Sequence, residues 1–173
     1  MPPSDNRRDR VSRGLGVFPD LMRLRSGPQD VPANTGLLFV LASLYVLQGF
    51  LTGELIEEPD AAPRTFLAIA VQFAVITILL RLKNFGERVQ QTLVAMAGTG
   101  LIFGLISIPL LLQFQPNTSQ PGLALAYLGL FAWSLAVDGH IYRHALSIKM
   151  SMGVLAAVLI FAVNFILLKS LFG

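Results

Sequence analysis

The sequence contains no cysteine and few charged residues. Without cysteine, disulfides and thiolate metal sites are excluded. Charged residues make up 13% of the 173 residues, against about 25% in a typical soluble domain. Hydrophobic residues reach 54%, which is more than a soluble domain of this size can bury. The composition therefore predicts an integral membrane protein, whose apolar surface is solvated by lipid.

Five apolar segments are long enough to cross a bilayer, because a hydrocarbon core of about 30 Å needs about 20 helical residues. Proline-containing polar turns or short basic turns separate them. The predicted fold class is all-α, a polytopic membrane helix bundle formed by residues 35–173 behind a polar tail of residues 1–34. The predicted spans are residues 36–56, 65–82, 89–113, 122–142 and 150–168.

Lysine and arginine are distributed unevenly over the predicted loops. Eleven of the 13 fall in the tail, in the second loop (residues 83–88) with its flanking Arg81, and in the fourth loop (residues 143–149). Arg64 and Lys169 fall on the other side. Basic residues concentrate on the cytoplasmic side of membrane proteins. The pattern predicts a bacterial cytoplasmic (inner) membrane protein with its N-terminus in the cytoplasm and its C-terminus in the periplasm. It also requires five spans, since removing any internal one would put basic loops on both sides.

The predicted tail contains an amphipathic segment at residues 15–25. One interpretation is a helix in the membrane interface, with Arg23 and Arg25 facing anionic lipid headgroups. The other is a segment that covers the cytoplasmic ends of the bundle, and the two are compatible. Residues 1–13 are predicted to be disordered. We expect no nucleic-acid partner, because aromatic residues do not interleave with the basic ones.

The third predicted span carries a small-residue face formed by Gly98, Gly100 and Gly104. Gly100 and Gly104 form a GxxxG motif, which lets helix backbones approach closely. Packing within the chain is the favoured interpretation, and a homo-oligomer or a membrane-protein partner is the alternative. Pro109 is predicted to kink this helix.

Four polar residues stand out at predicted membrane depth: Asp138, Gln48, Gln72 and Asn164. Hydrogen bonding between helices is the favoured interpretation of the uncharged ones, and a substrate path is the alternative. Asp138 is a functional candidate because ionisable groups are costly in lipid. The favoured interpretation pairs it with Arg143, His140 or a basic residue of the second loop, and the alternative is a proton relay.

His140 and His144 are spaced i, i+4 and therefore share one helix face, a spacing that suits metal ligation. A complete site needs further ligands, and the sequence has no other histidine. We therefore predict no metal site. No catalytic or cofactor-binding motif is present either, so the sequence predicts a protein that is not an enzyme and holds no cofactor.

The stretch RVQQTLVAMAGTGLIFGLISIPLLL, residues 88–112, resembles the bacterial branch of the YIP-domain membrane proteins. Five spans, a cytoplasmic amphipathic segment and a glycine-rich third span ending in proline belong to the same resemblance. The eukaryotic relatives act in vesicle trafficking with Rab GTPases, but their aspartate-leucine-tyrosine-glycine-proline and glycine-tyrosine signatures are absent here. The resemblance therefore implies topology and no partner.

Two functions are compatible with these features. The leading hypothesis is a non-enzymatic scaffold or assembly factor that works through helix packing and its cytoplasmic face. The alternative is a small transporter or channel subunit, with Asp138 in an ion or proton path. In either case the lipid bilayer is the expected partner.

Overall fold

A computed structural model of the chain describes residues 16–115 and 118–173, so the predicted disordered tail lies outside the described residues. Throughout the described part, all regular secondary structure is helical. Five helices are long and apolar enough to cross a membrane, which confirms the predicted all-α membrane bundle. The helices are α1 (residues 16–22), α2 (Thr35–Leu55), α3 (Ala61–Leu82), α4 (Val89–Leu111), α5 (Pro121–Leu146) and α6 (Met150–Phe172).

Three helices extend at least four residues beyond the predicted spans, and one of them is α6, which continues past residue 168 to Phe172. Helix α3 begins at Ala61 rather than at residue 65, because Pro63 lies in the first turn, where a missing N–H is tolerated. Helix α5 continues past residue 142 to Leu146 and ends at Ser147, which has a left-handed φ of 53°. Helix α4 ends at Leu111, so Pro109 lies in its last turn rather than in its body.

The second loop caps the C-terminal end of α5. Arg88 Nη1 donates hydrogen bonds to the carbonyls of His144 (3.4 Å) and Ala145 (3.3 Å). Lys83 Nζ donates to the carbonyl of Leu146 at 3.2 Å. Cations are favourable at a helix C-terminus, where the last carbonyls lack partners in the helix. These bonds explain why α5 stays helical through the segment that had been predicted as a basic turn.

The five long helices form a closed ring in the order α2, α4, α5, α6, α3. Helices α2 and α4 run parallel from the same end, where Gln90 Nε2 donates to Thr35 Oγ1 at 2.6 Å. Helices α3 and α6 are antiparallel, since Arg64 Nη2 near the start of α3 donates to the carbonyl of Phe172 at 2.9 Å. Helix α4 therefore lies between α5, which follows it in sequence, and α2, which does not adjoin it in sequence.

The outer surface of the ring is apolar. Large hydrophobic side chains on every long helix are exposed, for example Phe39 at 69% and Phe66 at 63%. A contiguous apolar surface of this extent requires a lipid environment. Together with the five spanning helices, it makes the chain an integral membrane protein.

Helix α1 and the segment after it pack into one end of the ring, here called the α1 end. The side chains of Val17, Phe18, Leu21 and Met22 are buried there, as is Val31. Trp133 Nε1 on α5 donates a hydrogen bond to the carbonyl of Met22 at 2.9 Å. The apolar face of the amphipathic segment therefore contacts protein rather than lipid.

Arg23 and Arg25, which were predicted to face lipid headgroups, are exposed at the α1 end. Arg23 lies 4.0 Å from Asp20, and both of these side chains are largely accessible. An exposed pair of this kind contributes little to stability. Of the two compatible interpretations of the segment, the structure describes the one in which it covers an end of the bundle, and contact of the arginines with lipid stays a prediction.

Candidate functional site

A cavity of about 360 Å³ lies inside the ring, and all five long helices contribute to its wall. Most of the wall is apolar or aromatic, and the polar groups come from every long helix. They are Tyr45 of α2, Gln72 of α3, Ser107 of α4, Tyr127, Ser134 and Asp138 of α5, and Asn164 of α6. The volume falls at the lower end of the range for small-molecule sites, about 300–1,000 Å³.

Helix α5 supplies the largest part of the wall through one of its faces. Tyr127, Ser134 and Asp138 line the cavity together with the leucines and the phenylalanine between them. Their spacing of seven and four residues places them on one side of a helix. Leu125 and Leu128, on the other side, are 68% and 60% exposed. The spacing of these polar residues along α5 is visible in the sequence, although Tyr127 was not singled out from it.

Asp138 lies near the α1 end of the cavity, eight residues before the end of α5, or about 12 Å at 1.5 Å per residue. Its side chain is partly exposed and lines the cavity. Across residues 16–115 and 118–173, no basic side chain lies within ion-pair distance of it. Asp138 is also the only acidic or basic residue in the cavity wall that the structure describes.

The basic residues that had been expected to pair with Asp138 make other contacts. His140 Nε2 binds the carbonyl of Ser26 at 3.0 Å, and since that oxygen can only accept, the nitrogen donates. Lys83 and Arg88 bind carbonyls at the end of α5. Arg143 is exposed. The favoured interpretation of Asp138 as an ion-pair residue is therefore not what the structure describes, because none of these candidates lies within ion-pair distance of it.

Several donors in the cavity wall are already used by neighbouring protein atoms. Ser107 Oγ donates to the carbonyl of Gly104 at 2.7 Å, and Ser134 Oγ donates to that of Phe131 at 2.8 Å. Asn164 Nδ2 donates to the carbonyl of Ala68 at 2.8 Å. Asn164 Oδ1 is buried and accepts no hydrogen bond from the described residues. The polar wall is therefore richer in free acceptors than in free donors.

Fully buried side chains fill the ring between the cavity and the α1 end. Val94, Val137 and Ile141 have no accessible surface, and Leu21 of α1 is equally buried. Towards the opposite end the cavity reaches Ser107, four residues before the end of α4, and Tyr127, six residues after the start of α5. The cavity is thus closed at the α1 end and extends towards the other one.

Gln72 and Asn164, which had been singled out as intramembrane polar residues, meet at this cavity with Asp138. Gln72 Nε2 also donates to Tyr142 Oη at 3.3 Å. Gln48 lies outside the wall and donates from Nε2 to Thr52 Oγ1 at 2.7 Å. Gln72 and Asn164 therefore fit both interpretations, because each lines the cavity and also bonds to another helix. The bond of Gln48 stays within α2.

The glycine face of α4 is covered by other parts of this chain. A Cβ atom added at Gly98 would collide with the ring of Phe18, and one at Gly104 would collide with the Gln48 amide. One at Gly100 would lie 2.6 Å from Cζ of Tyr45. Gly98 thus packs against α1, whereas Gly100 and Gly104 pack against α2. Packing within the chain, the favoured interpretation, is what the structure describes.

His140 and His144 lie on one face of α5, with ring centroids 4.6 Å apart. Nε2 of His140 is engaged by the Ser26 carbonyl. In the part of the chain that the structure describes, no three His, Asp or Glu side chains lie close enough to share a metal ion. The geometry assigns His140 to holding the segment that follows α1.

The fold and the cavity together define a class: a polytopic α-helical membrane bundle with an internal cavity that contains one carboxylate. Comparison with protein-family models, with curated proteins and with solved structures finds no match to this chain.

Proposed function

We propose that the chain is a small transporter or channel subunit whose path runs through the central cavity, with Asp138 as its charged group. The observation that carries this proposal is a cavity of about 360 Å³ to which all five long helices contribute and which contains the Asp138 side chain. Solute and ion paths in membrane proteins are lined by polar side chains that face the interior of the bundle. This role is non-enzymatic.

The energetics of Asp138 support a role in binding or conduction. Placing an aspartate at the centre of a membrane helix costs about 2.5–3.5 kcal/mol on insertion scales. Asp138, which lies eight residues before the end of α5, bears part of that cost. No basic side chain of the described residues offsets that cost by pairing with it. A bundle that served only as an anchor would be more stable with an apolar residue there. A cation or a proton taken up at the cavity would neutralise the carboxylate of Asp138.

The scaffold hypothesis loses one of the features that supported it, the glycine face of α4. Gly98, Gly100 and Gly104 contact Phe18, Tyr45 and Gln48 of the same chain. A membrane partner or a second copy would have to bind the lipid-facing surface instead. We therefore favour the path through the cavity over a scaffold built on this glycine face.

The cellular setting that we propose is a bacterial cytoplasmic membrane with the N-terminus in the cytoplasm. All described basic residues of the tail and of the second and fourth loops belong to the α1 end, and Arg64 and Lys169 to the opposite one. Positive charges favour the cytoplasmic side. The cavity would then be closed towards the cytoplasm and extend towards the periplasm.

Reconstitution into liposomes tests the proposed function. We expect the unmodified chain to carry protons or monovalent cations down an imposed gradient, measured with an internal pH dye and with rubidium or sodium tracers. Asp138→Asn keeps the size of the side chain but removes its charge, and should reduce the flux to that of protein-free liposomes. Glu87→Gln, at an exposed carboxylate outside the cavity, should leave it unchanged.

Two outcomes would contradict the proposal. One is the absence of any flux from well-folded, correctly inserted unmodified protein. The other is a flux that Asp138→Asn and Glu87→Gln leave equally intact. Elution as a single species in mild detergent establishes that each variant is folded.

A further inference from the structure

We propose that the ligand of the central cavity is a small organic cation that carries N–H groups, such as a protonated primary amine. This inference rests on the proposed function and names the chemical class that the path accepts. It follows from the charge, the hydrogen-bonding capacity and the aromatic content of the wall.

The charge of the wall favours a cation. Asp138 is the only acidic or basic residue among the described lining residues, so a bound anion would meet a carboxylate and no positive side chain. A neutral solute would leave that carboxylate without an ionic partner inside the bundle, which is costly. A monocation neutralises it and satisfies its oxygens at the same time.

The hydrogen bonds of the wall favour a ligand that donates. The hydroxyls of Ser107 and Ser134 give their hydrogens to backbone carbonyls, which leaves their oxygens as acceptors. The carboxylate oxygens of Asp138 also only accept. A ligand that supplies N–H groups can therefore donate to the cavity wall, whereas a ligand without them cannot.

Aromatic rings favour an organic cation over an inorganic one. Tyr45, Phe103, Tyr127, Phe131 and Phe161 all line the cavity. Phe131 and Phe161 meet edge to face with centroids 4.9 Å apart. Ring faces attract ammonium groups and pack against their carbon substituents. No three His, Asp or Glu side chains in the described residues come together to form a compact cage for a metal ion.

Titration calorimetry on the full chain in mild detergent tests the ligand class with three probes of similar shape. They are benzylamine, which is protonated at neutral pH, benzyl alcohol, which is neutral, and benzoate, which is an anion. We expect benzylamine to bind at least about tenfold more tightly than benzyl alcohol, because only the cation forms an ion pair with the carboxylate of Asp138. Benzoate should not bind, and empty micelles should give no saturable heat.

Variants locate the binding. Asp138→Asn should weaken benzylamine at least about thirtyfold, the effect of removing one partner of a buried charge pair, and should leave benzyl alcohol unchanged. Phe161→Leu should weaken benzylamine about two- to fivefold through the lost ring face. Because Phe161→Leu leaves the polar wall intact, it keeps the test decisive if Asp138→Asn fails to fold. Glu87→Gln is the matched surface control.

The outcomes separate this inference from the proposed function. Equal binding of all three probes, or benzylamine binding that neither Asp138→Asn nor Phe161→Leu weakens, overturns the inference. Saturable sodium binding that requires Asp138, with no benzylamine binding, also overturns it but leaves the path through the cavity standing. Absence of both amine binding and ion flux overturns both proposals.

Discussion

Gly153→Ala is expected to lower the stability of the bundle. The loss should exceed that caused by an alanine at any other helical glycine except Gly139, which forms the other half of the same backbone contact. A Cβ atom added at Gly153 would collide with the carbonyl oxygen of Gly139 and lie 3.1 Å from the backbone nitrogen of Arg143. Backbone atoms cannot rotate aside as a side chain can, so α5 and α6 would have to separate. Overpacking of this kind typically costs about 1–3 kcal/mol.

The same contact is equally tight from the other side. A Cβ atom on Gly139 would lie 2.8 Å from both the backbone nitrogen and the Cα of Val154. By contrast, an alanine at Gly104 meets only the side-chain amide of Gln48, which can turn away. We therefore expect Gly139→Ala to resemble Gly153→Ala, and Gly104→Ala to be milder.

Unfolding in mixed SDS–detergent micelles, followed by circular dichroism, measures these differences. Gly129→Ala is the matched control, since it makes the same chemical change on α5 where no heavy atom lies within 4 Å. It should leave the midpoint unchanged or raise it slightly, because alanine is the better helix former. Midpoints for Gly153→Ala and Gly129→Ala that coincide would mean that α5 and α6 are not held at this crossing.

Gly98→Leu is expected to release α1 from the bundle. The ring of Phe18 occupies the space above Gly98, and a leucine there would take that space for itself. Phe18, Leu21 and Met22 would then lose their buried positions together, because they belong to one short helix. Helix α4 should keep its own structure, since leucine is a good helix former.

Limited trypsin digestion measures the release of α1. Arg23 and Arg25 lie in and just after the turn that ends α1. Trypsin cleaves a segment that is locally unfolded, so docking of α1 slows cleavage at these two residues. We expect Gly98→Leu to speed cleavage at these two arginines by about tenfold or more, as loss of about 1.4 kcal/mol of docking free energy would do.

A second variant approaches the same docking site from α5. Trp133→Phe keeps an aromatic ring beside Phe103 but removes the donor that binds the Met22 carbonyl. It should also speed cleavage, by less than Gly98→Leu. Unchanged digestion in both variants would mean that α1 is held by something other than these contacts.

The number of spanning helices could be predicted from the sequence because length, hydropathy and loop charge constrain it independently. The ends of the helices were harder to predict from the sequence. Pro63 was taken as part of a turn, although it lies in the first turn of α3. The predicted fourth span stopped at residue 142, because the bonds from Lys83 and Arg88 that keep α5 helical come from a distant loop.

The glycine motif illustrates a different limit. GxxxG is visible within one helix, so Gly100 and Gly104 could be singled out from the sequence. Among the described glycines, the tightest contact with another helix's backbone lies instead between Gly139 and Gly153. These glycines belong to two helices and form no motif in either. Their contact depends on the angle at which α5 and α6 cross, and neither local sequence specifies that angle.

The types of polar residue in the cavity could be predicted from the sequence, but which of the polar residues line the cavity could not. Asp138, Gln72 and Asn164 were recognised because polar groups are costly in lipid. Which of them meet depends on the order of helices around the ring, and α4 lies between α2 and α5 rather than beside α3 in sequence order. Tyr45 joined the cavity for this reason, and Gln48 did not. The resemblance to YIP-domain proteins stays a prediction.

The burial of α1 has a consequence for how the protein is made. The carbonyl of Met22 is bonded to Trp133, 111 residues later, and that of Ser26 to His140, 114 residues later. A ribosome therefore completes α1 long before it synthesises the groove that receives it. The segment must wait at the membrane surface until α4 and α5 have been inserted. Docking of α1 therefore cannot precede the insertion of α5, although α1 is synthesised before every long helix.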